Sequence, residues 1–383
     1  MAKYSIAFII EKYFEFGGLQ RDMRRFGRAC AAAGHDVKVF TSDWDGADDD
    51  LLEVEILDFS GSANHRRVLS VQKFAQKLQS EKRFDCIVGF SRVKGLDVYF
   101  GGDPCYQAKI KRNGRWKYRF LPRYRTYLQL EQGVFGPCSD TDVMVISPKE
   151  LADVKETYNI DPGRIHLIPP GIDKYRLTKY IMDDQQRSEF RKSYAGIDDG
   201  FVILTIGSSF DTKGIDRAIY AIAALPEKIK KVCHYIVIGK GDKDKYQGIA
   251  DKAGIGRQIT FTGGREDIGA FYYASDVLLH PARTETAGHT LLEAMICRLP
   301  VIVTEHCGYG RYVKEANGGV LCPDPFEQNQ LNNILNDFLN DKAAREQLAR
   351  NGYEYTQTAD IYSMTDRVVE VILKRAERNR LAK

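Results

Sequence analysis

Short, wholly apolar runs recur along the chain, with amphipathic stretches between them. Ser5–Ile10 (SIAFII) reads as a buried strand, and Leu19–Ala33 has the spacing of a helix that stops at Gly34. Val37–Thr41, Cys86–Phe90, Val143–Ser147 and Ile165–Ile168 follow as strands, with a helix over Val68–Leu78. The second half repeats this rhythm. Val202–Ile206, Tyr235–Ile238, Ile259–Phe261, Val277–His280 and Val301–Thr304 are strands, and helices over Gly214–Leu225, Asp244–Ala253, Ile268–Ala274 and Gly288–Cys297 separate them. Strands this short, without polar alternation, are covered on both faces. The pattern therefore predicts an α/β fold of parallel sheets with helices on either side.

Pro169-Pro170-Gly171 and a polar stretch through Gln186 interrupt the rhythm and mark a domain boundary. A chain of 383 residues exceeds what one core usually serves, which agrees with two domains. The tail, Asp360–Arg380, reads as one amphipathic helix with basic residues towards its end.

Composition narrows the function. Hydrophobic residues make up 43% and charged ones 28%, as in an ordinary folded protein, and the net charge of +4 does not call for nucleic acid. The eight cysteines are scattered without a C-x-x-C pair and read as reduced, buried thiols. The seven histidines show no metal-ligand spacing, so no metal is expected. MAKYSIAFII enters a strand too directly for a signal peptide, and no apolar run is long enough to span a bilayer. A cytoplasmic protein with at most peripheral membrane contact is expected.

The most specific chemistry lies in Glu285-Thr-Ala-Gly-His-Thr-Leu-Leu-Glu293, which follows a strand and opens a helix. Such junctions are where α/β sheets bind ligands. Gly288 lets a phosphate approach the backbone, and the amides of Ala287, Gly288, His289 and Thr290 offer donors to a diphosphate. Glu285, before the helix, suits a sugar hydroxyl, and Glu293, within it, suits a vicinal diol such as ribose. Gly207-Ser-Ser-Phe-Asp-Thr-Lys213-Gly214 is a second strand-to-helix turn, in which Lys213 can neutralise a leaving diphosphate. A lysine at a helix start is electrostatically misplaced, which argues for a bound anion. In the first half, a loop over Glu11–Phe16 leads to Gly17-Gly18 at a helix start. No G-x-G-x-x-G fingerprint is present, so a nicotinamide or flavin is disfavoured. Gly101-Gly102-Asp103 follows the segment Asp97–Phe100 (DVYF).

From Tyr106 to Leu130 there is no acidic residue. Lys109, Lys111, Arg112, Arg115, Lys117, Arg119, Arg123 and Arg125 are interleaved with Trp116 and several Tyr and Phe residues. That mixture suits an anionic membrane surface better than RNA, given the near-neutral remainder.

Together these motifs resemble the family-four retaining glycosyltransferases of GT-B fold, and within them the branch that glucosylates the lipopolysaccharide core. FGGLQRD (16–22), GLDVYF (95–100), RYRTY (123–127), PPGI (169–172), KGIDR (213–217), LLHPA (278–282) and CGY (307–309) carry the resemblance. It implies two Rossmann-like doubly wound domains facing across a cleft: 1–170 for the acceptor, 171–358 for the donor, with a terminal helix, 359–383, packing back on the first. It implies a UDP-sugar co-substrate, UDP-glucose first, and a lipid A-core heptose acceptor, with no cofactor. Glu293 would hold the ribose, Glu285 the hexose, Lys213 with Arg176 the diphosphate, and Arg265 the uracil. Asp103, among the catalytic residues, and Asp22, beside Gly17 and Gly18, would face sugar and acceptor. Asn64, His65 and Arg66 would contribute to the acceptor. One departure stands out: Thr212, where the family often has arginine, precedes Lys213. Two readings remain open beside this one: the same fold with N-acetylhexosamine or galactose as donor sugar, and a non-catalytic binder of anionic lipid.

Overall fold

A computed structural model describes residues 2–15, 17–59, 61, 63–112, 121–197 and 199–383. The chain divides into two compact units, Met1–Gly171 with Tyr362–Lys383, and Ile172–Ile361.

The first unit is built on β1 (Ser5–Ile9), β2 (Tyr13–Phe14), β3 (Asp36–Thr41), β4 (Trp44–Asp45), β5 (Glu53–Ile56), β6 (Cys86–Gly89), β7 (Val98–Gly101), β8 (Asp142–Val145) and β9 (Ile165–Leu167). Seven of these form one parallel sheet in the order β5-β3-β1-β6-β7-β8-β9. β2 and β4 form a separate parallel pair, with Tyr13 stacked on Trp44 at 3.9 Å between ring centroids. Tyr13–Phe14 lies in the stretch Glu11–Phe16 that the sequence predicts as a loop, and Trp44–Asp45 in one to which it assigns no element. The strands have two residues each, below the length at which alternation is visible.

The second unit carries β10 (Phe201–Ile206), β11 (Cys233–Ile238), β12 (Ile259–Gly263), β13 (Val277–His280), β14 (Val301–Thr304) and β15 (Gly319–Cys322). They form a parallel sheet in the order β12-β11-β10-β13-β14-β15. β11, β13 and β14 are buried at every residue, as expected of strands with helices on both faces. Strand order reverses at β10, which has β11 on one side and β13 on the other. In open α/β sheets a ligand binds beyond the strand ends at such a switch point.

The polar stretch to Gln186, which the sequence marks as the break between domains, is helical in part. It contains helices Lys174–Thr178 and Asp184–Ala195, the latter started by a capping box in which Asp183 and Gln186 exchange bonds. Polar helices of this kind carry little hydrophobic periodicity, so capping chemistry rather than pattern reveals them. Cys138 is exposed while the other seven cysteines are buried, which corrects the expectation of uniformly buried thiols.

The terminal helix, Met364–Leu381, belongs to the first unit by charge as well as contact. Arg375, buried, reaches Asp97 at 3.2 Å and Asp140 at 2.7 Å, and Arg378 reaches Asp142 at 2.7 Å. Arg380 and Lys383 both pair with Asp85. No described helix is long and apolar enough to cross a membrane.

Candidate active site

The site in the second unit begins where β10 ends. Gly207 (φ +152°), Ser209 (φ +62°) and Gly214 (φ +70°) bend the chain through left-handed conformations around a short helix, Phe210–Lys213. Phe210 anchors this turn in the core against Tyr246 and Phe261. A Cβ on Gly207 would lie 2.6 Å from Lys213 Cε, so the glycine provides the channel for the lysine stem.

The β13 loop packs onto this turn backbone to backbone, because Gly214 carries no Cβ to strike the Pro281 carbonyl. The Arg283 amide donates to the Thr212 carbonyl at 2.8 Å, and its guanidinium forks onto Asp216 at 2.8 and 2.6 Å. Beyond the stapled loops lies Glu285. It is fixed from its other side by the β14 loop: Gly308 donates to the Glu285 carbonyl at 3.1 Å, and Tyr309 to the Ala287 carbonyl at 2.7 Å. Gly288 (φ +100°) then turns the chain into the helix His289–Ile296, and a Cβ there would meet Cys307 Sγ at 2.5 Å. The first-turn amides of His289 and Thr290 have no helical carbonyl to pair with. The Thr290 hydroxyl oxygen is buried beside them without a partner among the described residues.

Fold thus brings Lys213 and Glu285 together. Lys213 Nζ pairs with Glu285 Oε2, and the two side chains are 17% and 16% exposed. His280 Nε2, at the end of β13, lies 3.4 Å from the same oxygen. Burial raises the Glu285 carboxyl, but the His280 imidazole and the Lys213 ammonium outweigh it and hold its pKa at about 2. This corrects the electrostatic argument from sequence: Lys213 is not a misplaced charge waiting for an anion, because Glu285 balances it.

Glu293 accepts a hydrogen bond from Tyr272 at 2.7 Å. Burial and the Glu293 charge push the Tyr272 phenol well above its usual range, so it donates. The helix Lys174–Thr178, which carries Arg176, packs against Ile268–Ala274 and His289–Ile296, the helices of Tyr272 and Glu293. Arg265 stands apart from this cluster. Its guanidinium forks onto Asp267 at 2.8 and 2.7 Å and reaches the Tyr194 hydroxyl at 2.9 Å.

In the first unit, Gly17 caps the helix Gly18–Ala32, and a Cβ on Gly18 would meet open space. Asp22 bonds Arg25 at 2.9 Å, and burial raises its pKa to about 6 against the pull of Arg25 and Arg21. Arg25 also reaches the Gly171 carbonyl and Met364 Sδ, so Asp22 is tied to the chain crossover rather than left open. Asn64 starts the helix Asn64–Glu81 and accepts from Arg67 at 2.6 Å; His65 is half-buried and Arg66 exposed.

Asp103 is exposed, in a loop held by a buried network the sequence does not reveal. Arg92 donates to the Asp103 and Pro104 carbonyls, to Tyr99 and to Glu131. Glu131, 1% exposed, accepts from the Tyr106 and Gln107 amides and the Tyr158 hydroxyl. Of the basic segment, Lys109, Lys111, Arg123 and Arg125 are exposed. Arg112 is exposed too, but Asp153 at 2.8 Å partly neutralises it, which lowers the charge expected from sequence. Arg115, Trp116, Lys117 and Arg119 lie outside the described residues.

Sequence reasoning missed His280, Tyr272, Arg92 and Glu131 as parts of these sites. For His280 a signal existed: one polar residue closes the apolar run VLLH. For the others none did, since their partners are distant in sequence.

The profile of glycosyltransferase family 4 matches residues 16–176, and that of glycosyl transferases group 1 matches residues 186–355. The lipopolysaccharide glucosyltransferase WaaG of Escherichia coli strain K12 is 36% identical over 368 residues, 96% of this chain and 98% of that protein. The crystal structure of WaaG, a glycosyltransferase involved in lipopolysaccharide biosynthesis, matches with a TM-score of 0.90 over 96% of this chain and 99% of that one, at 36% identity. Anabaena HepE in complex with UDP-glucose, 18% identical, shares the fold with a TM-score of 0.72 over 97% of this chain and 100% of that one. Fold and relatives define a glycosyltransferase. Within that class the chain belongs to the GT-B glycosyltransferases of family four, in the WaaG-like branch.

Proposed function

We propose that this enzyme moves glucose from UDP-glucose onto an inner-core heptose of the lipid A-linked lipopolysaccharide core, with retention of configuration. The observation that carries the reading is the Lys213–Glu285–His280 cluster at the switch point, one helix start away from Glu293. Similarity to a lipopolysaccharide glucosyltransferase along 96% of the chain supports the substrate class. Glu293 takes the ribose, Glu285 the hexose, and Lys213, the amides of Ala287 to Thr290 and Arg176 the diphosphate. Arg265 is assigned to the uracil end. Asp103, Asp22, Gly17 and Gly18 are assigned to the sugar and acceptor, with Asn64, His65 and Arg66.

In this reading the anomeric C–O bond breaks first, and UDP leaves with the electron pair. Lys213 and the helix amides stabilise the charge that develops on the diphosphate. The acceptor oxygen bonds to the anomeric carbon from the same face, and its proton passes to the departing phosphate oxygen. With those cationic and dipolar groups in place we assign no metal.

The test is a screen of UDP-sugars against a defined truncated core acceptor, with and without a chelator. Glucose transfer unaffected by the chelator is expected. Transfer of N-acetylhexosamine or galactose instead, or no transfer to the core, refutes the donor or the acceptor assignment.

We place the enzyme peripherally on the cytoplasmic face of the inner membrane, held by the basic aromatic segment. Near an anionic surface each basic residue contributes about 1 kcal/mol. Vesicles with anionic phospholipid should therefore sediment the protein, and neutral vesicles should not. Replacing Lys109, Lys111, Arg123 and Arg125 with Gln should abolish the difference. Equal binding to both vesicle types would defeat the placement.

A further inference from the structure

His280 is fully buried, and its Nδ1 has no hydrogen-bond partner among the described residues. Its Nε2, 3.4 Å from Glu285 Oε2, makes no well-formed hydrogen bond while Lys213 holds that same oxygen. Burial, with the Lys213 charge in support, lowers the imidazole pKa against the pull of Glu285, so the ring is neutral and carries one N–H. Among the described residues, the Glu285 carboxylate is the ion partner of His280. The proton therefore sits on Nε2, and the Nδ1 lone pair is left in the core. Leaving a polar atom unpaired in a core is costly, so the position has a compensating use.

That use follows from the chemistry of Lys213. One ammonium cannot hold Glu285 as tightly once a donor diphosphate claims it. A buried carboxylate stripped of its cation takes up a proton or turns to water unless another donor holds it. The groups that set the Glu285 charge are Lys213 from the β10 loop and His280 from β13; Cys307, from the β14 loop, is a thiol that burial pushes up and keeps neutral. Among the described groups that act on Glu285, His280 remains to take over.

We propose that His280 is a positioning residue of the donor site: its Nε2–H takes over Glu285 Oε2 when the diphosphate draws Lys213 away, and so keeps Oε1 available to the hexose. This rests on the reading of Glu285 as the hexose contact. His280 touches neither donor nor acceptor.

The test compares His280→Leu with His280→Gln, whose amide reaches the Nε2 position, using UDP-glucose and the core acceptor. His280→Leu should lower kcat by about tenfold to a hundredfold, the range of a hydrogen bond to a charged group. It should also raise the Kd for UDP alone, because the diphosphate by itself draws Lys213 away and strips Glu285 of its cation with no imidazole to take over. The acid limb of its kcat profile should move to higher pH, since Glu285 loses the donor that keeps it ionised in the complex. The limb of kcat/KM should move less, because Lys213 still holds Glu285 in the free enzyme. His280→Gln should restore most of kcat. If His280→Leu does not fold, His280→Asn, whose shorter amide falls at the Nδ1 position, serves as the variant without a donor at the Nε2 position. Wild-type kcat in the donor-free variant, or His280→Gln no better than it, overturns the proposal. Normal transfer by Glu285→Gln would instead overturn the reading on which it rests.

Discussion

Glu285→Gln should lower kcat by about a hundredfold or more, the loss typical when one charged group at the reacting centre is removed. The amide keeps the shape of the carboxyl and one acceptor oxygen, but it loses the charge that balances Lys213. Affinity for UDP alone should stay within about twofold, because the ribose contact proposed for Glu293 is untouched. The sign of the pH effect is fixed by the carboxyl itself. Its pKa is held at about 2 in the folded chain, below the ordinary carboxylate value of 4.5. Its contribution is therefore complete above the ordinary range and is lost only as pH falls towards 2. Wild-type kcat/KM should show no ionisation of Glu285 at or above the ordinary carboxylate value of 4.5. Steady-state kinetics with UDP release as the readout measure both effects. A Glu285→Gln enzyme that transfers at the normal rate removes Glu285 from the reaction.

Lys213→Met should be at least as damaging, with kcat lower by about a hundredfold to a thousandfold, since in the proposed reaction its cation opposes the charge that develops on the leaving diphosphate. Methionine fills the channel beside Gly207 without charge. It also leaves Glu285 partly buried with only His280 near, so melting should fall by a few degrees, as expected for about 1–3 kcal/mol. Arginine should not rescue: its planar fork is no substitute for a point charge. Gly207→Ala should reproduce part of the loss, because the new Cβ would lie 2.6 Å from Lys213 Cε at a φ of +152°. Full activity in Gly207→Ala would show that the channel does not place the lysine.

Much of the framework was legible in the chain. Runs such as VLLH and VIVT are apolar throughout because both faces of the strand are covered, and that local property survives in one dimension. The Glu285-to-Glu293 segment was legible for a similar reason: a strand end, a glycine with positive φ and a helix start are consecutive in sequence. The two-residue strands Tyr13–Phe14 and Trp44–Asp45 were not, and neither was the helix Asp184–Ala195, whose signal is a cap rather than a stripe.

What the sequence by itself determined is the alternation of buried strands and helices, the strand-to-helix turns at Gly207–Gly214 and Glu285–Glu293, and the cluster of positive charge after Tyr106. Tertiary structure alone decided who pairs with whom. Lys213 and Glu285 are 72 positions apart, and Arg375 meets Asp97 across 278. Such contacts depend on strand order in the sheet, which places the ends of β10 and β13 side by side. Charge balance then follows from proximity, so a lysine that looks unpaired in the chain is neutralised in the fold, and a histidine ending an apolar strand acquires a carboxylate to hold.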